Sequence, residues 1–165
     1  MKKIIFCALF AIVSMHATAQ QSNDELSSSY TMIGAGYTSE TSLGNGAYLN
    51  LVTSRKLYEG LCIDIGVMAR YTSFSAGYSS SNNLDATVMV GPSYQYNFNS
   101  KVALIPFTGA NLGGRFSLDG NGKNFIFGWD TGLKFRYKKV AIIYAATIGI
   151  SNRLTSHSIG LAYGF

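Results

Sequence analysis

From Leu61 onward the chain alternates between apolar and polar positions. Leu61, Ile63, Ile65, Val67, Ala69 and Tyr71 hold one parity, and Cys62, Asp64, Gly66, Met68 and Arg70 the other. The pattern returns with Leu84, Ala86, Val88, Val90, Pro92, Tyr94, Tyr96 and Phe98 against Asp85, Thr87, Gly91, Ser93, Gln95 and Asn97. It appears again with Phe125, Phe127, Trp129, Leu133, Phe135 and Tyr137, interrupted only by Thr131, against Asp130, Gly132, Lys134 and Arg136. A period of two is that of a β-strand with unlike faces. Weaker copies over 31–38, 47–57, 102–112, 140–150 and 156–165 bring the expected strands to eight. The fifth, 102–112, leaves its facing open, because Leu104, Pro106 and Leu112 compete with Ala103, Ile105 and Phe107 for the apolar side. Pro92 and Pro106 each remove a ladder donor, so a bulge or a local break is expected at both.

The connections alternate as well. Residues 39–46, 72–83, 113–124 and 151–155 are expected to be mostly long loops rich in Gly, Ser and Asn, whereas 58–60, 99–101 and 138–139 are tight turns. In an up-and-down arrangement all the long loops fall at one end and all the turns at the other.

A soluble β-sandwich also alternates, but the segments here have the length a tilted strand needs to cross a bilayer. Aromatics gather at the two ends of the apolar faces. Tyr94, Tyr96, Phe98, Phe135 and Tyr137 stand at the turn end with Tyr163 and Phe165, while Tyr71, Phe125, Phe127 and Trp129 stand towards the loop end. Two aromatic girdles around an aliphatic band match the two membrane–water boundaries. The expected fold is therefore all-β, an eight-stranded antiparallel up-and-down transmembrane β-barrel. Hydrocarbon tolerates no unpaired sheet edge, so the last strand must seal against the first. That accounts for the ending "SIGLAYGF", where Ile159, Leu161, Tyr163 and Phe165 share one face and Ser158, Gly160, Ala162 and Gly164 the other.

Two lysines, an apolar run from Ile4 to Val13 and Ala17-Thr18-Ala19 read as a cleaved secretory signal over 1–19. Residues 20–28 are then a short periplasmic lead-in and 29–165 the barrel. After cleavage one cysteine, Cys62, and one histidine, His157, remain, too few for a disulfide or a structural zinc site. The remaining charge is mild and spread out, with no basic cluster beyond Lys138-Lys139, which argues against nucleic acid as a partner. No cofactor or metal site is expected; "DGNG" lacks the ligand spacing of a calcium loop.

In its pattern the mature chain resembles the small eight-stranded outer-membrane barrels of the OmpA/OmpX type, the porin-like family of Gram-negative bacteria. Gly160, Tyr163 and Phe165 are similar to that family's C-terminal insertion signal, which implies recognition by the barrel-assembly machinery. The signal junction, Ala-Thr-Ala-Gln-Gln, is similar to those of the Bacteroidota. The resemblance implies an outer-membrane location in contact with lipid and lipopolysaccharide, long loops outside and both termini periplasmic.

Eight strands enclose a lumen that side chains can fill. Unpaired buried charge is costly, so opposite signs should meet inside. Two layers are expected, Arg70 with Asp85 and Asp130, and Asp64 with Lys134 and Arg136. The leading functional reading is a non-enzymatic barrel with a plugged polar interior and a structural role or a surface ligand held by its loops, where Tyr78, Arg115, Phe116 and Lys123 are candidates. One alternative is a narrow or gated porin-like channel for ions or small solutes. The other is a lipid A-modifying enzyme around the outward His157. There the strand carries Ile159 where a similar deacylase has serine, and no Glu to orient the imidazole.

Overall fold

The structure is a computed structural model that describes residues 26–41, 44–76, 79–120, 122–151 and 154–165. The expected signal peptide, most of the lead-in and Tyr78 lie outside these residues. The elements are β1 (Tyr30–Glu40), β2 (Gly44–Tyr58), β3 (Leu61–Ala76), β4 (Ser79–Tyr94), β5 (Tyr96–Asn97), β6 (Val102–Ser117), β7 (Lys123–Tyr137), β8 (Val140–Gly149) and β9 (Thr155–Gly164). β4 and β5 are one stave interrupted at Gln95, so the nine elements form eight staves of an antiparallel barrel. Closure is made by β9 against β1, in a register from Met32 opposite Gly164 to Glu40 opposite Ser156. Phe165 extends the seal, its amide donating to the Thr31 carbonyl at 3.0 Å.

The facing follows the alternation. Ile33, Leu49, Ile65, Val88, Leu133, Ile142 and Leu161 point outward and are exposed, while Thr38, Ser54, Asp64, Asp85 and Lys134 point inward and are buried. This reverses a water-soluble protein, and the surrounding medium must be apolar. The girdle residues Tyr71, Tyr94, Tyr96, Phe98, Phe125, Trp129, Phe135 and Tyr137 are all exposed on the outer wall; Phe127 is partly covered. Tyr37, Tyr58 and Tyr144 also stand on the outer wall.

One expectation changes and one open facing is decided. Most of the long loops are strand. β3 runs on to Ala76 and β4 begins at Ser79, pairing Ser73 with Asn82 and Ser75 with Ser80, and β6 continues to Ser117. Serine and asparagine read as loop by composition, but a ladder already aligned by its apolar half extends through them at little cost in chain entropy. Secondly, the fifth stave, β6, turns Ala103, Ile105 and Phe107 inward and leaves Pro106 and Leu112 exposed. Both of its faces are apolar because the turn-end half of the lumen holds an apolar cluster of Tyr30, Met32, Ala103, Ile105, Phe107, Ala141, Ile143 and Ala162. The interior is therefore mixed at the turn end, where this cluster lies around Asp64, Lys134 and Arg136, and largely polar towards the loop end.

At the prolines the ladder breaks without a bulge. β4 and β6 pair at Val90 with Ala110 and again at Ser93 with Phe107, in unchanged register. The turns have local causes. Glu59 and Gly60 both take positive φ, 28° and 92°, as a two-residue hairpin of right-handed twist requires. Asn99 Oδ1 accepts from the amides of Lys101 and Val102 at 2.8 and 2.9 Å, closing the turn before β6.

At the seam Gly36 lies opposite Gly160. A Cβ on Gly160 would collide with the Ala35 carbonyl oxygen, the Tyr48 hydroxyl and the Gly36 Cα. Gly160→Val is expected to lower stability by about 1–3 kcal/mol through overpacking. The measurement is the fraction of protein that migrates as the compact unheated species on a detergent gel after refolding; a native fraction would show that the seam does not need glycine.

Candidate functional site

The inward polar side chains form tiers along the lumen. At the loop end Arg70 on β3, Asp85 on β4 and Arg115 on β6 lie directly opposite one another across neighbouring strands. Asp85 Oδ2 accepts from Arg70 Nε at 3.1 Å and from Arg70 Nη2 at 2.8 Å. The same carboxylate accepts from Arg115 Nε and Nη2, both at 2.7 Å. Both guanidiniums then reach across the lumen. Arg115 Nη2 donates to Glu40 at 2.8 Å, and Arg70 Nη1 donates to the Ser156 hydroxyl. Glu40 and Ser156 are themselves paired across β1 and β9. The tier thus ties one wall of the barrel to the seam on the other, through hydrogen bonds between ionised groups that are the stronger kind.

Further down, Asp130 on β7 accepts from Asn111 Nδ2 at 2.6 Å. Below it Lys134 on β7 spans the lumen to Asp64 on β3, with Nζ 2.5 Å from Oδ2. Ser93 donates to the other Asp64 oxygen at 2.8 Å. The Lys134 ammonium also lies 5.0 Å from the Phe107 ring centroid and 5.6 Å from that of Tyr30, a favourable placement for a cation in apolar surroundings. Between Asp130 and Lys134 is a cavity of about 50 Å³ bordered by Asn50, Thr87, Met89, Phe107 and Ser158.

At the turn end Arg136 stacks over the Tyr30 ring, 4.5 Å from guanidinium carbon to centroid, and donates to the carbonyls of Lys138 and Ser27, each at 2.8 Å. The end of the lead-in folds under the mouth of the barrel. Leu26 donates from its amide to Ser100 at 3.1 Å and packs against the apolar cluster, and Cys62 donates to the Ser28 carbonyl at 3.5 Å.

The expected layers therefore meet only in part. Arg70 reaches Asp85 and Lys134 reaches Asp64, but Asp130 makes no ion pair among the described residues, and Arg136 bonds backbone carbonyls and an aromatic face in place of Asp64. Glu40 and Arg115, read from sequence as loop residues, are buried members of the loop-end tier. Their signal was the parity itself: Arg115 continues the inward series of Ala103, Ile105, Phe107 and Asn111. Above Arg115 a pocket of about 370 Å³ opens between Ser81, Asn83, Asn124, Ile126 and Ser151. Among the described residues no group of three or more His, Cys, Asp or Glu is placed to hold a metal ion. On the outer wall His157 Nδ1 lies 2.9 Å from the Tyr144 hydroxyl, and the two rings stack at 6.2 Å.

Tyr163 and Phe165 stand at the end of the closing stave, both on its outer side, and Gly160 stands in its middle. Of the interior ion pairs, Lys134 with Asp64 stands among the least polar neighbours. Lys134→Met alone, which strands a buried carboxylate, is expected to lower stability by about 3–5 kcal/mol. Combining it with Asp64→Asn should cost clearly less than Lys134→Met alone. Denaturant unfolding followed by the fluorescence of the single tryptophan, Trp129, makes the comparison. Losses that simply add would mean that the two groups are not coupled.

No family model matches the sequence, and no curated protein matches it. Solved structures do match its fold. Neisserial surface protein A superposes with a TM-score of 0.59 at 17% identity, over 84% of this chain and 98% of that one. Ail, the attachment invasion locus protein of Yersinia pestis, solved with the heparin analogue sucrose octasulfate, gives 0.55 at 15% identity over 84% of this chain and 100% of its own. The outer membrane enzyme PagL gives 0.52 at 14% identity, over 80% of this chain and 98% of that one. The closed eight-stave architecture and its apolar outer wall thus give this chain the fold of the small eight-stranded outer-membrane β-barrels.

Proposed function

We propose that the protein is a non-enzymatic outer-membrane barrel with a filled, non-conducting lumen, serving the envelope through its structure or through contacts at its loop end. The observation that carries this reading is the sequence of tiers along the lumen. The Arg70–Asp85–Arg115–Glu40 tier, the Lys134–Asp64 bridge and the apolar cluster under which Leu26 packs succeed one another, with a cavity of only about 50 Å³ between them. That volume holds a few water molecules, which supports a filled lumen. The loop end faces outward and the turn end, with both termini, faces the periplasm. Lipopolysaccharide then surrounds the loop-end girdle, and the closing strand with Gly160, Tyr163 and Phe165 is the segment presented to the assembly machinery.

A second reading, catalysis at the lipid boundary, draws on the fold shared with PagL and on the His157–Tyr144 pair. Ser39 lies opposite His157 across the seam, on the same outer face. No carboxylate among the described residues bonds to the imidazole, whereas a nucleophile–base pair needs a third group to orient the base. The binding reading is preferred on that ground.

Three measurements test this reading. In planar bilayers the purified barrel is expected to give no stable conductance steps; discrete channels would refute the filled lumen. Lipid A from cells overproducing the protein should have the same masses as lipid A from cells carrying His157→Ala, and a shifted species present only with His157 would establish an enzyme. With an impermeant maleimide, Gly120→Cys should label in intact cells and Lys101→Cys only after permeabilisation. Gly120 has open space where a side chain would stand. The reverse pattern would invert the orientation.

A further inference from the structure

The structure sorts the charges by location. Four cations, Arg70, Arg115, Lys134 and Arg136, and four carboxylates, Glu40, Asp64, Asp85 and Asp130, are buried inside, so the lumen is neutral in sum. The outer loop end of the described chain is balanced too, with Lys123 against Asp119, whose carboxylate accepts from the Asn82 amide group at 3.0 Å. Among the described residues the excess positive charge lies at the turn end. Arg55, Lys56, Lys101 and Lys139 are exposed there and Lys138 is half-buried, against the exposed Glu59. None of these five cations has a side-chain carboxylate among the described residues within ion-pair distance.

The five form a rim. Arg55 and Lys56 end β2, while Lys101 and the Lys138-Lys139 pair sit on the neighbouring turns of β6, β7 and β8. Those two turns are tied together, since the Lys138 amide donates to the Lys101 carbonyl at 2.8 Å. Each group of cations stands beside outward rings: Tyr58 follows Arg55 and Lys56, Phe98 precedes Lys101, and Tyr137 precedes Lys138. Rings that seek the boundary fix the depth of the rim at the headgroups, and lysine and arginine stems of this length carry their charge to the phosphates.

We infer that this rim is a binding surface for anionic phospholipid headgroups, which it gathers from the leaflet at the turn end of the barrel. A basic residue at an anionic surface is attracted to it, and salt screens that attraction. Five of them around one rim give a selective lipid annulus at the turn end. The leaflet in which this operates rests on the orientation proposed above; the headgroup preference does not.

The test reconstitutes the folded barrel in symmetric vesicles of phosphatidylcholine with a minor fraction of phosphatidylglycerol. Spin-labelled lipid of either headgroup is added, and the motionally restricted fraction gives the relative association of the two. At low salt phosphatidylglycerol should be favoured by about two- to four-fold, with the preference vanishing near 1 M salt as surface charges are screened. Replacing Arg55, Lys56, Lys101, Lys138 and Lys139 by glutamine should bring the ratio to about one, whereas Lys123→Gln should leave it unchanged. Should the fivefold variant fail to refold, Lys138→Gln with Lys139→Gln carries the test and should lose part of the preference. Equal association in the native protein, or a preference that survives the rim substitutions or falls with Lys123→Gln, would overturn the inference. Symmetric vesicles make this outcome independent of orientation, which the maleimide experiment reads separately.

Discussion

A backbone amide in hydrocarbon finds no water to bond, and each one left unpaired costs several kcal/mol. An open sheet has two edges full of such groups, and a closed one has none. The seam between β1 and β9 is therefore the contact on which the rest of the barrel depends. Its demands explain otherwise odd residues: glycines facing each other at 36 and 160, and a chain whose final amide still donates into the ladder. The prolines obey the same economy of donors. Pro92 and Pro106 stand where the ladder between β4 and β6 is open, so neither removes a bond that the sheet was making.

Closure with eight staves also fixes the lumen at a width that side chains span. Here they do so in two different ways. Towards the turn end an apolar cluster packs as an ordinary core would, with Asp64, Lys134 and Arg136 set among it. Towards the loop end arginines and carboxylates alternate across adjacent strands and reach over the lumen to the seam. Buried ion pairs contribute little net stability against a well-packed apolar alternative, but a carboxylate left alone among them is expensive. Such a tier therefore specifies which walls face each other more than it strengthens the barrel. With the interior neutral, the net charge of the described chain falls on the outer turn-end rim, beside the aromatic girdle.

Facing and architecture were legible in the sequence. Parity decides which side chains leave each side of a pleated strand, because successive Cβ atoms alternate by covalent geometry alone. Strands from Leu61, Leu84 and Phe125 accordingly keep the sides their alternation assigns. The sequence also determined that the final strand must close the barrel, through its apolar face and terminal aromatics. The tertiary structure decided the rest. Ala103, Ile105 and Phe107 could be assigned inward only once an apolar cluster was found inside, since a strand greasy on both faces carries no parity signal. Glu40 and Arg115 looked like loop residues because composition marks turns but not how far an established ladder propagates. Which charges meet was the least legible feature. Lys134 and Asp64 lie three staves apart, and Arg115 reaches Glu40 across the lumen. Such pairs depend on the relative height of strands on opposite walls, a quantity set by the register of every ladder between them and by no local stretch of sequence.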